Sequence, residues 1–516
     1  MSTRSRAGAA GSALVRIVRS GPEHAAALEE LQRVCFPGLA EHERMKAEHF
    51  LEHQRRFPAG EFVALARTAP DGSPLAEERV VGLGSGFLVD FDLSRPDHAF
   101  IDIIAGGTYA NHDPAGAWYY GADISVHPEY RGHGIGGALY RARQAVVRRL
   151  GKKGIVAGGA LPGYHAYRAE LSVDEYVAKI AAGELYDPTL AFQIANGFEV
   201  LGVIRDYMTD EFTGNAASLI VWRNPDPAPD GYRVRPARLE DAAAVAGVIG
   251  RRQRADLGAV EVDEGGVRDD WAGIDFDADT VVVEQGGVVR ACADLVVRQG
   301  QVSTYAYVDP EVVDAGTRRE LGAFLAAWGE ARAAEELRAA ENLRAAENLR
   351  AADNLRAVDG PTAADELPRG DDGVVVRHYA IDTNPEAVRL LEDRGYVFQR
   401  SVLWMERELG AAVSGAPTGP TAGERRGLPS GVSLRTYHGE RDEPAAHLAF
   451  EEGSLDMNGR APNSREQWLA YVGTKDPSLV FIVETSDAAG TESAPGSGPT
   501  GGPGSGPARA AGEIVG

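Results

Sequence analysis

The sequence predicts a mixed α/β (α+β) chain of repeated domains, each a mixed, mostly antiparallel sheet flanked by helices. Three observations carry that prediction. Three segments open alike, on a short alternating strand, an acidic helix start and an amphipathic helix. Each segment then carries a hairpin signal. In the first, a strand runs through a glycine-rich loop directly into a helix, near residues 120–140.

The elements follow in order. Leu14-Val-Arg-Ile-Val-Arg leads into an Ala/Leu-rich helix from Glu23. Tyr232-Arg-Val-Arg-Pro leads into Glu240-Asp-Ala-Ala-Ala-Val, and Val432-Ser-Leu-Arg into Asp442-Glu-Pro-Ala-Ala-His-Leu. Phe62-Val-Ala-Leu-Ala-Arg is expected to pair with Val80-Val-Gly-Leu across Asp71-Gly72. Val281-Val-Val-Glu is expected to pair with Val288-Val-Arg-Ala across Gly286-Gly287, and Val480-Phe-Ile-Val-Glu with Glu513-Ile-Val across a Gly/Pro/Ser stretch. Repetition at intervals near 200 residues points to repeated whole domains.

The boundaries are 14–224, 231–409 and 431–516. The first domain closes after the strand Ser218-Leu-Ile-Val-Trp222, the second after Val402-Leu-Trp-Met-Glu406. The third segment has a first strand, helices and one hairpin and is expected to be a partial domain. Truncation is its simplest account, a remnant docked on the second domain the other. Residues 333–356 are a low-complexity insert, with leucines at 337, 343, 349 and 355. Its composition favours helix. Six-residue steps send the leucines round the helix in three directions, so they make no coiled-coil seam. One exposed helix, lengthened and braced by pairs such as Glu341 and Arg344, is the expectation.

Composition narrows the functions. The 516 residues suit roughly three domains. The net charge of −23 opposes non-specific nucleic-acid binding, because phosphate would be repelled along most of the surface. No run reaches the length of a transmembrane helix, so no membrane partner is expected. Two cysteines, Cys35 and Cys292, exclude a disulfide scaffold and a Cys-based zinc cluster, which fits a reducing, cytoplasmic setting. No metal is expected, and the oligomeric state is left open.

The chemistry lies in Tyr120-Gly-Ala-Asp-Ile-Ser-Val-His-Pro-Glu-Tyr-Arg-Gly-His-Gly-Ile-Gly-Gly-Ala-Leu-Tyr. Asp123 to Val126 alternate as a half-buried strand. Glycines 132, 134, 136 and 137 then enter a helix with the apolar stripe Ile135, Leu139, Ala142, Val146 and Leu150. Strand, glycine loop and helix N-terminus make an anion site, since backbone N–H groups and the positive helix end face the ligand. Gly132-x-Gly134-x-x-Gly137 also fits a dinucleotide fingerprint. The next strand, Gly154-Ile-Val-Ala-Gly-Gly-Ala, lacks the acid that fingerprint needs, and no Walker A loop is present.

These residues resemble the GNAT superfamily of acyl-CoA-dependent N-acyltransferases. Its signature loop, Gln/Arg-x-x-Gly-x-Gly/Ala, is filled at every fixed position by Arg131-Gly-His-Gly-Ile-Gly136. More narrowly, residues 14–223 resemble the GNAT domain fused to nitrilase-type amidohydrolases, through Asn111-His-Asp-Pro, Val156-Ala-Gly-Gly, Pro162-Gly-Tyr-His and Gly183-Glu-Leu-Tyr-Asp-Pro. The resemblance implies tandem GNAT folds and acetyl-CoA as co-substrate. Ile124, Ser125 and Val126 would pair with the pantetheine arm; Arg131, Gly132, His133, Gly134, Ile135, Gly136 and Gly137 would hold the pyrophosphate.

The implied reaction is direct transfer of an acetyl group to an amine, either a small molecule or a protein or peptide amine. It needs a base for an ammonium of pKa about 10.4 and benefits from an acid for the departing thiolate. Asp123 is the candidate base, or a solvated strand residue. Tyr164 and Tyr167 are candidate acids, or packing aromatics. The family's usual tyrosine falls near Phe192 or Gln193. His112 and Asp113 contact substrate or cap a turn, while His127 and His133 read as solvent-facing flanks of the loop.

In the second domain, Val308-Asp-Pro-Glu-Val-Val-Asp-Ala-Gly-Thr-Arg-Arg aligns with Val126-His-Pro-Glu-Tyr-Arg-Gly-His-Gly-Ile-Gly-Gly. Val313 replaces the loop arginine, Asp314 adds negative charge and Arg318 replaces a glycine. Asn384-Pro-Glu-Ala-Val-Arg-Leu-Leu-Glu-Asp-Arg-Gly-Tyr396 still resembles the superfamily's last helix. The expectation is a degenerate GNAT domain that buttresses the first or shapes its cleft. The alternative for the whole chain is a non-catalytic acyl-CoA-binding or partner-docking protein on the same scaffold.

Overall fold

Alternating apolar residues in the first 224 positions build a seven-stranded sheet. A computed structural model describes residues 15–37, 39–41, 43–210, 213–298, 301–356, 375–381, 383–398, 432–453, 464–466, 468–469 and 481–485. In chain order the first segment runs β1 (Val15–Arg19), α1 (Ala25–Cys35), α2 (Ala47–Arg56), β2 (Phe62–Thr68), β3 (Pro74–Val89) and α3 (Phe100–Ile103). It continues with β4 (Trp118–Val126), α4 (Ile135–Arg149), β5 (Gly154–Ala160), α5 (Val173–Ala181), α6 (Pro188–Ala195), β6 (Glu199–Ile204) and β7 (Ala217–Arg223). The strand order is β1-β2-β3-β4-β5-β7-β6, antiparallel except between β4 and β5.

Period-two burial splits the core in two, one cluster on each face of the sheet. Leu28 and Leu31 of α1 and Phe50 of α2 close one face over Phe87, Tyr120 and Tyr207. Leu139, Val146 and Val147 of α4, with Val177 and Leu190, close the other over Tyr119 and Ile155. Local signals set the helix ends. Ser172 and Glu175 form a capping box on α5, while Asp187 caps α6 with Pro188 in its first turn. α5 and β6 had no separate counterpart in the sequence reading.

The second segment comprises β8 (Arg233–Arg235), α7 (Ala242–Leu257), α8 (Glu264–Asp270), α9 (Phe276–Asp279), β9 (Thr280–Gln285), β10 (Val288–Arg298) and β11 (Gln301–Val308). It then runs through α10 (Ala315–Arg356), β12 (Val375–His378) and α11 (Pro385–Asp393). Its sheet order is β12-β11-β10-β9-β8, with β11 and β12 parallel. Gly286 and Gly287, at φ 58° and 80°, form the turn whose left-handed pair suits a two-residue hairpin. The expected strand at 402–406 lies outside the described residues. The low-complexity insert is the distal part of α10; the Glu341 and Arg344 side chains are likewise outside the description.

The chain divides into two units, 1–400 and 401–516, so the first two segments share one unit. Within it α10 packs on α4. Arg149, at the C-terminal end of α4, donates to the Ala278 and Asp277 carbonyls and stacks 5.2 Å from the Trp328 ring of α10. Arg394 bridges Glu330 at 2.6 Å and Asp226 at 3.0 Å. The helix that begins at the glycine loop is therefore anchored at its far end by the second segment.

The other unit holds β13 (Val432–Thr436), α12 (Glu443–Gly453) and β14 (Phe481–Thr485), with β13 and β14 antiparallel. The expected strand at 513–515 lies outside the described residues. The repeat is visible in one ion pair. Arg235 of β8 grips Asp241 through both terminal nitrogens, and Arg435 of β13 grips Asp442 in the same way. No described helix is long and apolar enough to cross a membrane.

Replacing Arg149 with alanine should cost about 2 kcal/mol of stability, because it strands two carbonyls and uncovers Trp328. Urea unfolding followed by tryptophan fluorescence measures it; an unchanged midpoint would show that the two segments fold without this contact.

Candidate active site

The site starts from an incomplete strand pair. β4 and β5 pair only at Trp118, Tyr119 and Tyr120 with Gly154, Ile155 and Val156. Beyond them β5 stays on β7 up to Ala160, while β4 stays on β3 up to Val126. Two devices sit at the divergence. Ser85 faces Asp123 and Gly86 faces Gly121, so Ala122 is an extra residue, a bulge that bends β4. On β5, a Cβ at Gly158 would fall 2.4 Å from the Tyr207 ring, so only glycine admits that side chain. Among the described residues, no strand pairs with the β5-facing edge of Ile124, Ser125 and Val126.

The glycine loop stands at the mouth of this opening. Gly132 and Gly134 have φ of 81° and 78°, and no atom lies within 4 Å of a Cβ built on either. The left-handed backbone, not crowding, is what requires glycine there. Gly134 is the N-cap of α4, whose first residue is Ile135, so the positive end of a 15-residue helix opens on the loop. Gly136 has a different reason: its Cβ would meet the Phe192 ring at 2.7 Å. Phe192 of α6 thus occupies the neighbourhood expected for the family's tyrosine, without a hydroxyl. Gly137 lies in the first turn of α4 with more room, 3.4 Å from Arg141 and Asn196. Arg131 is exposed and its Nε donates to the Val126 carbonyl at 3.2 Å, joining loop to strand.

The histidines near the loop and the β3–β4 connection make local contacts. His133 folds back on the Tyr130 and Arg131 carbonyls. His127 is buried rather than solvent-facing: its Nδ1 accepts from the Glu129 amide, and Arg79 lies 2.9 Å from Nε2. His112 accepts from the Leu88 amide at 3.2 Å and stacks on Phe57, while Asp113 accepts from Ala115 at 2.8 Å. Those contacts are turn-holding.

Asp123 is 8% exposed and lies on the α1 face, where Gln32 donates to its Oδ2. Burial raises its pKa to about 6, against the opposing pull of Gln32 and the Arg143 charge. Arg143 is 1% exposed and donates through one nitrogen to both the Ser85 and Asp123 carbonyls. Glu61, which accepts from the Ser85 hydroxyl at 2.9 Å, is pushed well above the usual carboxylate range by burial. Cys35, at the end of α1, has its thiol raised to about 11 by burial first and Asp123 second, so it remains protonated at neutral pH.

The tyrosines separate. Tyr164 gives its hydroxyl to the Leu171 carbonyl at 3.2 Å, and Tyr164 and Tyr167 pack round Tyr176 in the core on the α4 face. The structure does not group them with Asp123. On the α1 face, His98 Nε2 lies 2.7 Å from the Tyr120 hydroxyl, which lies 3.0 Å from the Tyr207 hydroxyl beside Gly158. Sequence reading missed Gln32, Ser85, Arg143 and Tyr207. A signal existed for two of them: Arg143 follows Leu139 by one turn within an apolar stripe, and Gln32 follows Leu28 in the same way. Among the described residues no group of three or more His, Cys, Asp or Glu could hold a metal ion.

A carboxyl raised from 3.8 to about 6 destabilises the fold above that range. Its contribution to stability is full below the unfolded pKa and is lost as pH rises through 6. Asp123→Asn, which can still accept from Gln32, should therefore raise stability at pH 7.5, by on the order of 3 kcal/mol. The gain should vanish near pH 4. Melting curves at the two pH values check this, and a variant equally stabilised at both would contradict the assigned cause.

Comparison with known proteins identifies the family. The profile of the acetyltransferase (GNAT) family matches residues 25–168. The chain is 31% identical over 198 residues to the uncharacterized N-acetyltransferase YkwB of Bacillus subtilis (strain 168), covering 38% of this chain and 83% of that protein. It is 37% identical over 201 residues to the probable hydrolase YhcX of the same bacterium, covering 39% of this chain but only 37% of that relative's length. A GCN5-related N-acetyltransferase structure from Sphaerobacter thermophilus matches at 27% identity and a TM-score of 0.32, over 50% of this chain and 69% of that one. The chain belongs to the GNAT family of acetyltransferases.

Proposed function

We propose that the first segment transfers an acetyl group from acetyl-CoA directly to an amine. The observation that carries the reading is the unpartnered edge of Ile124–Val126, which ends on a left-handed glycine loop at the N-terminus of α4. A bound pantetheine arm would complete that edge as an added strand does. The loop amides from Gly132 to Gly137, together with Arg131, would meet the diphosphate. Acetyl-CoA supplies the activated acyl carbon, and the residues of this chain do the rest.

Asp123 is the base. Burial makes it about two units more basic than an ordinary aspartate while leaving it ionised at pH 7.5. Gln32 fixes the carboxylate on the α1 face, so the amine is proposed to approach from that side. There the loop after α1 is tied to the β6–β7 connection by Glu43, which accepts from the Thr209 amide at 3.1 Å. Tyr207, hydrogen-bonded to Tyr120 beside Gly158, takes the part of thiolate acid in preference to Tyr164 and Tyr167. A net charge of −23 favours cationic amines in solution, which leaves small amines and protein or peptide amines both within the class.

Thiol release from acetyl-CoA with a panel of amines tests the reading. Turnover is expected with at least one amine, with kcat/KM falling about tenfold per pH unit below 6. Asp123→Asn should remove that limb along with most of the activity, and Gly134→Glu should abolish acetyl-CoA binding in calorimetry. Acetyl-CoA binding without turnover on any amine would leave a binding protein instead. Tyr207→Phe should lower kcat about a hundredfold, and Tyr164→Phe by far less; the reverse order would return the acid role to Tyr164.

A further inference from the structure

The second segment repeats the strand divergence but not the anion site. β11 and β12 pair from Gln301 to Thr304 with Val375 to His378, then separate, leaving the edge from Tyr305 to Val308 open as in β4. The loop that should follow has become helix. α10 begins at Ala315, two alignment positions earlier than α4, and Asp314 caps it by accepting from the Thr317 amide at 2.7 Å and hydroxyl at 2.9 Å. The positive helix end is thereby neutralised by the chain's own carboxylate, with no left-handed glycine pair to admit a diphosphate. Arg318, in place of a loop glycine, binds the Val312 and Val313 carbonyls and reaches Glu386 of α11.

What remains between β11, α10 and α11 is a cavity of about 430 Å³. Its walls are apolar, from Leu325, Leu390, Leu391 and Ala387, with four arginines (252, 318, 319 and 389) against two acids, Asp256 and Glu386. Arg252 is committed to Asp256 and Arg318 to Glu386. Arg389 is exposed and makes no ion pair among the described residues. Arg319 is held by Asp393 at 2.9 Å, so the lining offers one uncommitted positive charge, Arg389, on a chain of net charge −23. Apolar walls with a cationic excess suit a chain-like molecule with one small anionic head, and the volume lies within the range of small-molecule sites.

We propose that this cavity binds a medium-chain aliphatic carboxylate, in a site separate from the acetyl-CoA site of the first segment. Calorimetry on the full chain with octanoate, octylamine and 1-octanol tests it. Octanoate should bind saturably at one site per chain, octylamine should give no saturable binding, and 1-octanol should bind at least tenfold more weakly than octanoate. Arg389→Glu, at an exposed position, should weaken octanoate at least tenfold, as should Ala387→Phe, which fills the cavity. Gly134→Glu should leave octanoate affinity unchanged. No saturable octanoate binding, equal binding of octylamine, or octanoate binding lost in Gly134→Glu but kept in Arg389→Glu would overturn the proposal. Should Ala387→Phe fail to fold, Arg389→Glu decides alone.

Discussion

Two parallel strands that begin together and are forced apart govern the first segment. β4 and β5 share three residue pairs before the bulge at Ala122 bends one and Tyr207, seated on Gly158, occupies the space beside the other. Unpaired backbone amides inside a sheet are costly unless something else satisfies them. The opening therefore stands as an unfilled strand position rather than a void. Everything attributed to the site is placed by it: the glycine loop at its mouth, α4 along one face, and Asp123 at its edge.

A buried cation ties the scaffold to the chemistry. Arg143 reaches from α4 to the main chain of both Ser85 and Asp123, holding the bulged register while its charge opposes the desolvation of Asp123. Without that charge the buried carboxyl would hold its proton still more tightly. With it, the Asp123 carboxyl titrates about one unit below neutrality. Glu61, Ser85 and Tyr109 continue the polar network inward, with the Ser85 hydroxyl 2.6 Å from that of Tyr109. Their burial favours the neutral forms of Glu61 and Tyr109, so the ionisable contribution at the site falls to Asp123.

The second segment shows what the same topology does without the loop. Its strands part in the same way, yet Asp314 closes the helix end and α10 instead serves as a brace, packing against α4 and holding Arg149 through Trp328. The sequence alignment of Val308–Arg319 with the loop made this loss legible, because Val313, Asp314 and Arg318 each contradict a diphosphate. The glycine loop was equally legible, since positive φ leaves a residue-type signature. Ser85 and Tyr207 were not, because a buried polar residue is recognisable only through partners distant in sequence: Tyr207 meets Tyr120 across 87 positions. Tyr164 shows the same limit: its spacing after β5 suits a donor, and only the structure shows its hydroxyl given to the Leu171 carbonyl.

Hydrogen–deuterium exchange on the full chain, with and without acetyl-CoA, tests the central claim most directly, since it reads the open strand position itself. The account predicts new protection confined to the segment 122–126 and the loop 131–137, with 305–308 and 314–318 unchanged. Protection absent from 122–126, or appearing at 305–318 instead, would contradict it.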